Sequence, residues 1–565
     1  MGAKRLLLAC LLLAISYPFV VVNSQDPSDV SSALFYANAK GEDFYLVYPG
    51  SSPFITVAQV GRQGSILLVE SPNRQVIAGL KEGLEANGNA VEVVSSTGTD
   101  MNLELAGRSG SRSFILSDPV YGYNVVSAVA YAKHTGSYLI FANKSSISEV
   151  SSFLGQNRPD SILLYGTLDD EVPVAINGLG LTAETINNGD KYEDNIAMLD
   201  KYFALRPEIR DVLFTDGSVL EESINEGDFP AVLVSDVIPG STYGYLFSEV
   251  SSGQIVVGTL IGNAHLDAVY DMMKRINSNF EEKKLNVFVK FGQATGAGGE
   301  PGPLSMFPLP SPHADVSLDE ASYNPALGAF ELVYTNKGNA PAYVKSSIAV
   351  LLDGNQIGTI GDEQSYVIKR GEKKGMRYPF PNPGEGQLSI NDTTYYGLSR
   401  YSFDKGFIKY MDVGRISFVD RSSLSLPDAS YSPLEDRLTV RVRNNGTEDA
   451  FYRLSVSYVN DEGFTFYEEE QVRNISAGRT EIIALSGVIQ LPMEKADKTA
   501  MNVTATYGAR EAFLEKEASA PVKIEGFPWW ILLLLLLLLL ILFWYYRKKK
   551  KEKEAAAEEA PKKKK

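Results

Sequence analysis

The stretch GDKYEDNIAML, Gly189 to Leu199, sets Asp190, Glu193 and Asp194 beside Lys191 and Tyr192, just ahead of an apolar run. Carboxylates this close can serve as an acid and base pair, hold a cation, or open a helix. The helix reading accounts for most residues. Asp190 falls at the cap, Glu193 stands three residues on in position to return the bond as in a capping box, and both acids favour the positive helix end. Tyr192, Ile196 and Leu199 then share one face, ready to pack on a sheet. The acids read as a boundary marker between modules. Asp169, Asp170 and Glu171 form a second acidic knot after the apolar run SILLYG, where a loop opening a helix is expected.

Other chemistry is sparse. The histidines are His134, His265 and His313, none near another, and the sequence has no H-E-x-x-H, no cysteine pair and no G-x-S-x-G elbow. An EF-hand calcium loop is also missing. The glycines after Phe291 follow a strand-like run, but no helix follows them, so a phosphate cradle would lack its helix N-terminus. No catalytic, cofactor-binding or metal-ligating residue is assigned, and the chain is expected not to be an enzyme. An envelope glycan hydrolase is the enzymatic alternative; it requires two acids facing one cleft at the carboxyl ends of the strands. Asn143, Asn391, Asn445, Asn474 and Asn502 stand in N-x-S/T and are candidate glycosylation acceptors.

The ends suggest where such residues would be exposed. Lys4 and Arg5 precede an apolar stretch and small residues near Ser24, the layout of a secretory leader over residues 1–24. Leu7 to Cys10 also fits a lipoprotein processing box, but the apolar stretch runs on to Val22. Phe527 to Tyr546 is an unbroken apolar span, about 30 Å as a helix, with tryptophan and tyrosine at both ends. Residues 547–565 carry ten Lys or Arg against four Glu, which holds that tail on the cytoplasmic side. The expected protein is a single-pass type I membrane protein, with anionic headgroups near its tail and no nucleic-acid partner. Net charge is −16, and the exterior portion is more acidic than the whole. Such a field draws in cations and basic surfaces. Cys10 is the only cysteine, so disulfides cannot staple the exterior and buried apolar surface must hold it.

From Phe44 to Phe291, short apolar runs such as SILLVE, SYLIFA, SILLYG and QIVVGTLIG alternate with helical stretches. Their continuous apolarity predicts parallel strands buried on both faces. Helices are expected over 74–87, 125–134, 146–155, 190–203 and 266–277. The order of turn, strand, loop and helix recurs three times, giving α/β units of about 41–110, 111–205 and 206–292 within a head of 25–292.

The segment from Ser137 through GDKYEDNIAML resembles the cell-wall-binding repeats, type two, of bacterial and archaeal surface proteins. Their hallmark is a D-R-Y-E-T-A-like helix start. Asp190, Tyr192 and Glu193 match it, Lys191 stands for the arginine, and Asp194 and Asn195 depart from Thr-Ala. The first unit has TDMNLELAG in place of the hallmark. The resemblance implies three α/β modules that hold a surface protein to wall polymers, partly through an Ile-Leu-Leu-like strand, which Ile66, Leu67 and Leu68 keep. Ile66 to Leu68 and Asp190 to Glu193 are therefore the candidate ligand-contact or signature residues. The family's best-known ligands are anionic and this exterior is acidic. Either divalent cations bridge the two, or the partner is a neutral glycan or a surface-layer protein.

Residues 293–312, rich in Gly and Pro, read as a linker. Beyond it the apolar period becomes two, and a second repeat appears at an offset of 108: Asn336, Gly338 and Ala342 pair with Asn444, Gly446 and Ala450. This N-x-G-x-x-x-A stretch resembles the cell-adhesion-related (CARDB-like) domains of bacteria. The resemblance implies immunoglobulin-like sandwiches over 313–420 and 421–525, each of seven strands, with Asn and Gly shaping a turn and Ala facing the core. The sum is a surface-anchored binding protein with an envelope-facing head on a two-sandwich stalk. A tether or adhesin acting through the sandwiches is the other non-enzymatic reading.

Overall fold

The computed structural model describes residues 19–295, 300–400, 403–460, 463–468, 472–486, 500–525 and 539–549. The head begins earlier than the sequence suggests. Strand β1 (Phe19–Asn23) buries Val20, Val21 and Val22 completely and pairs in parallel with both β2 (Asp43–Leu46) and β3 (Ser65–Glu70). A leader boundary at residue 24 therefore falls just past an interior strand, and the first unit starts at Phe19 rather than near residue 41. Phe19 to Val22 continues the leader's apolar run, and a strand buried on both faces is apolar in the same way. Residues 1–18 lie outside the described residues.

Each unit follows one plan. In the first, β1, α1 (Pro27–Lys40), β2, α2 (Pro53–Val60), β3, α3 (Leu80–Ala86), β4 (Ala90–Ser95) and α4 (Gly98–Ser109) succeed one another. The second runs β5 (Ser113–Ser117), α5 (Gly122–Thr135), β6 (Tyr138–Phe141), α6 (Ile147–Gln156), β7 (Ser161–Tyr165), α7 (Glu171–Gly178), β8 (Ala183–Ile186) and α8 (Lys191–Leu205). The third runs β9 (Asp211–Thr215), the short β10 (Val219–Leu220), α9 (Glu222–Glu226), β11 (Ala231–Leu233), α10 (Gly240–Ser252), β12 (Val257–Ile261), α11 (Leu266–Asn277) and β13 (Asn286–Lys290). The sheets are ordered β2-β1-β3-β4, β6-β5-β7-β8 and β11-β9-β12-β13, all parallel, so the order second-first-third-fourth occurs three times.

The last helix of one unit reaches into the next. Helix α4 packs on α1 of its own unit and on β6 of the second; α8 packs on α5 and on β11 of the third. A buried asparagine makes each junction. Asn102 Nδ2 donates to Ser32 Oγ at 2.9 Å and to the Leu139 carbonyl at 3.0 Å, while the Phe141 amide donates to Asn102 Oδ1 at 3.0 Å. Asn195 repeats this with Ser127 Oγ (3.1 Å), the Ala231 carbonyl (2.8 Å) and the Leu233 amide (2.9 Å). A carboxamide carries one acceptor and a two-hydrogen donor, so it completes the outer edge of a strand as another strand would.

The Gly/Pro segment is built into the head. After β14 (Gly292–Thr295) and β15 (Glu300–Pro303) pair antiparallel, β16 (Phe307–Pro308) pairs with β10, and Phe307 and Leu309 are buried in a core cluster that runs through all three units. The Gly122 amide at the start of α5 donates to the Pro310 carbonyl at 3.0 Å. A flexible linker is thus corrected to a strap: its two large apolar side chains, worth about 2 kcal/mol each when buried, outweigh the Gly/Pro composition.

The two sandwiches share one strand plan, but the strands of the first join into one continuous sheet and those of the second into two. The first has eight strands rather than seven: β17 (Val316–Asn324), β18 (Ala329–Asn336), β19 (Ala342–Leu352), β20 (Asn355–Gly361), β21 (Tyr366–Ile368), β22 (Lys373–Pro379), β23 (Leu388–Gly397) and β24 (Lys405–Arg415). The second runs β25 (Leu424–Ser432), β26 (Arg437–Asn444), β27 (Ala450–Asn460), β28 (Gly463–Glu468), β29 (Arg473–Ile475), β30 (Thr480–Ser486), β31 (Ala500–Gly508), β32 (Lys516–Pro521) and β33 (Lys523–Ile524). A short parallel pair closes each, Ser322 with Gly414 and Ser430 with Lys523. The repeated asparagines are buried turn-makers. Asn336 Nδ2 donates to the Ala340 and Ile368 carbonyls and Asn444 Nδ2 to those of Glu448 and Ile475, while each Oδ1 accepts the amide of Gly338 or Gly446 at 2.9 Å. A Cβ on Gly338 would lie 2.3 Å from the His313 carbonyl, so glycine is required by close approach. Ala342 and Ala450 face the cores.

The sandwiches fold against the head and each other. Val174 of α7 is buried in the second sandwich's core, and α7 packs on β28. Glu331, 2 % exposed, accepts a hydrogen bond from Arg377 of its own sandwich at 2.7 Å and forms an ion pair with Arg510 of the other at 2.6 Å. The Gly375 amide donates to the Ala512 carbonyl at 2.7 Å. Two domains strung outward as a stalk are corrected to a pair clamped to the second α/β unit.

Among the described residues, no helix is long and apolar enough to cross a membrane. Of the expected span, 527–538 lie outside the described residues; 539–549, its last part and the start of the tail, is helical, with Leu539 to Tyr546 exposed. Most of the basic tail also lies outside them.

Candidate functional site

The carboxyl ends of the strands differ among the three units, although their topology is the same. A doubly wound sheet opens a crevice where adjacent strands leave in opposite directions, here between each unit's first and third strands. In the first unit it is sealed. Asp29, fully buried, accepts Ser71 Oγ and, at 2.7 Å, the Gly98 amide; Ser24 and Ser71 hydroxyls lie 2.5 Å apart. Burial pushes the Asp29 carboxyl up to about 6, against the pull of these bonds.

In the second unit the crevice opens into a cavity of about 290 Å³ whose far wall is the first sandwich. Asp118 follows β5, with its Oδ1 accepting the Val120 amide at 2.8 Å. Asp169 follows β7 and accepts the Lys144 amide at 2.9 Å. Burial, then the Asp169 charge, raises the Asp118 carboxyl to about 6, against the Val120 bond and the cations Arg370 and Lys144. Gly166, at φ 76°, makes the turn from β7 toward Asp169; a Cβ there would fall 2.4 Å from Asn124 Nδ2. Tyr121 and Tyr123 supply aromatic faces, their ring centres 5.7 Å apart. Lys369 and Arg370 reach the site from the sandwich, and Lys369 Nζ lies 3.4 Å from Asp170 Oδ2.

Both acidic stretches singled out in the sequence line this cavity. Asp190 caps α8, its Oδ1 accepting the amides of Tyr192 at 2.8 Å and Glu193 at 3.4 Å. The capping box is not closed as expected: Glu193 is exposed, and the reach-back comes from Asp194, which accepts the Asn188 amide at 2.6 Å. Burial raises Asp194 to about 6. Asp194 and Asn195, where the chain departs from Thr-Ala, are both buried and serve the loop and the junction. Lys191 lies 5.4 Å from the Tyr123 ring centre and 4.9 Å from that of Tyr192. The buried face of α8 is Asn195, Met198, Leu199 and Tyr202, one step around from the face expected, with Tyr192 and Ile196 half-buried.

Ile66, Leu67 and Leu68 lie in β3 and are fully buried, so they hold the sheet and offer no surface to a ligand. The acceptors Asn391, Asn445, Asn474 and Asn502 are exposed; Asn143 is half-buried, its Oδ1 accepting the Ser145 amide at 2.9 Å. In the third unit His265, at φ 60°, places Nδ1 2.7 Å from Asp236 and Nε2 3.5 Å from Asp216. Burial would raise Asp216, but bonds from Ser218 and His265 hold it below its usual range. Among the described residues, no three or more His, Cys, Asp or Glu converge to hold a metal ion. Asp118, Tyr121 and Tyr123 were not singled out from the sequence; the signal was DPVYGY directly after an apolar strand. Lys369 and Arg370 carry no such signal, because only the docking of the domains brings them in.

No protein-family model matches the chain, and no curated protein does. Among solved structures it is similar to Cwp8 from Clostridium difficile, with 14 % identity and a TM-score of 0.38 over 46 % of this chain and 48 % of that one. Cwp6 from Clostridium difficile gives 12 % identity and a TM-score of 0.34, over 43 % and 40 %. The chain spans less than half the length of either.

Proposed function

We propose that this is a cell-surface binding protein, not an enzyme, anchored by the apolar span at Phe527 to Tyr546 with its head outside the cell. The cavity between the second α/β unit and the first sandwich takes a hydroxyl-rich saccharide segment of envelope or surface-layer material. The observation that supports this reading is the convergence of Asp118, Asp169, Asp190, Tyr121 and Tyr123 with Lys369 and Arg370 in one cavity. Carboxylates accept hydroxyl hydrogens, cations donate to sugar oxygens, and tyrosine faces cover the apolar side of a ring. Six carboxylates line the opening against Lys191, Lys369 and Arg370, an excess that disfavours an anionic polymer and suits a neutral glycan. A divalent cation bridging to an anionic polymer is the alternative ligand mode.

The test is binding of the intact protein to native envelope saccharide, with and without calcium, for Tyr121→Ala and Arg370→Ala. Loss of about tenfold or more in affinity in both variants is expected; unchanged binding in both refutes the site. Alkaline extraction of membranes tests the anchor, since an integral protein stays in the pellet. Glycan hydrolysis is kept as a second reading because Asp118, raised to about 6 by burial and then by the Asp169 charge, lines the same cavity as Asp169. New reducing ends, abolished by Asp118→Asn, would establish it.

A further inference from the structure

The head forms three junctions, and among the described residues helices fill two of them. Unit one grips unit two through α4, and unit two grips unit three through α8. Each helix sits between the first helix of its own unit and the outer strand of the next. The third unit ends at β13 and continues into strands. Yet the first and third units meet: Tyr48 is close enough to Glu221, Glu222 and Asn225 for their charges and hydrogen bonding to act on its hydroxyl.

Where the third helix would lie there is a groove of about 780 Å³, lined by Asp43 to Leu46 of β2, Gln59 of α2, and Glu222, Asn225 and Glu226 of α9. The outer strand β2 and the first helix α9 correspond to the elements that hold α4 and α8. The register also corresponds. One bond closes each outer strand: Val47 amide to Val22 carbonyl, Ala142 to Ser117 and Val234 to Thr215. Counting back from these, the Phe44 carbonyl and Leu46 amide stand where Asn102 bonds Leu139 and Phe141, and where Asn195 bonds Ala231 and Leu233. Sheet pairing uses only the other side of β2. Asn225, 7 % exposed, leaves its Oδ1 without a partner here.

We infer that this groove is a docking site for a helix supplied by another polypeptide, bearing an asparagine or glutamine at its centre and basic residues on its flanks. No helix among the described residues supplies the occupant. Between 278 and 525 the described residues contain no helix, and the helix at 539–549 has no carboxamide side chain. Helices α4 and α8 already occupy their own junctions. Basic flanks follow from the lining: Asp43, Glu222, Glu226 and Asp228 stand against Lys133, which Asp228 already neutralises at 2.7 Å. The fitting length is that of α4 and α8, 12 to 15 residues.

The probe is a stapled 15-residue helix repeating the Asn195, Met198, Leu199 and Tyr202 face of α8, with lysine at its outer positions, titrated against the intact protein by fluorescence anisotropy. Saturable binding is expected, weakened about tenfold when the peptide's asparagine becomes alanine and about tenfold by Glu222→Lys with Glu226→Lys in the protein. Circular dichroism of that double variant should match the parent. Equal binding by the asparagine and alanine peptides, or no binding at about 1 mM peptide, overturns the proposal. So does a concentration-dependent dimer that the peptide fails to dissociate, since a second copy would then hold the groove.

Discussion

The first and second α/β units share a strand order and a junction asparagine, yet one strand-end crevice is sealed and the other open. Asp29 and Asn124 each open into the crevice from the first helix of their unit. In the first unit, Ser24, Ser71 and the Gly98 amide converge on Asp29 and leave no room. In the second, Asn124 donates to Ser117 Oγ at 3.0 Å and the acids turn outward onto the sandwich. The fold decides where a site can be; a few loop residues decide whether one exists.

The comparison can be tested where the units agree as well as where they differ. The largest effect is expected at the shared junction. Asn102→Ala and Asn195→Ala each strand a strand-edge carbonyl and amide, costing about 3 kcal/mol, read as faster hydrogen exchange in β6 or β11. A difference of more than about 1 kcal/mol between the two would break their equivalence.

Asp29→Asn places the second unit's residue in the first. A carboxyl raised to about 6 from an unfolded value of 3.8 binds its proton more readily when folded, so stability falls as pH rises from about 4 to 6. The variant should gain up to about 3 kcal/mol at pH 7.5 and nothing at pH 3.5, measured by urea denaturation of the intact protein. Asp118, Asp194 and Asp392, also raised to about 6, leave part of the slope in place.

Asp118→Asn and Asp29→Asn then separate open from sealed. The first should weaken saccharide binding about tenfold and the second should leave it unchanged. The smallest effect distinguishes two acids in one helix start: Asp190→Ala should cost about 1 kcal/mol and Glu193→Ala less than about 0.5 kcal/mol, by thermal unfolding.

What the sequence revealed followed its strongest periodicities. Parallel strands, the helix over 191–205 and the sandwich repeat at Asn336 and Asn444 were legible because continuous apolarity, a cap residue and a fixed offset are local signals. Strand β1 was hidden because Phe19 to Val22 reads as leader. The amide junction was hidden because Asn195 looked like a departure from a motif; its partners are 36 and 68 residues away. Exposed Glu193 took the credit due to Asp194, since spacing alone cannot tell which carboxylate turns inward. The cavity needed two domains to be docked, and nothing in either sequence segment specifies that contact.

The strap from Leu304 to Pro310 has a mechanical consequence. Tension applied at the sandwiches would reach the head along the backbone through it, once the side-chain contacts of α7 with the sandwiches part, at a two-residue antiparallel pair with β10 backed by Phe307 and Leu309. Such a short pairing peels one bond at a time, so it would yield before the long sandwich strands. The slack released would be the residues of the hairpin and strap, a built-in extension between a loaded sandwich and a head that stays folded.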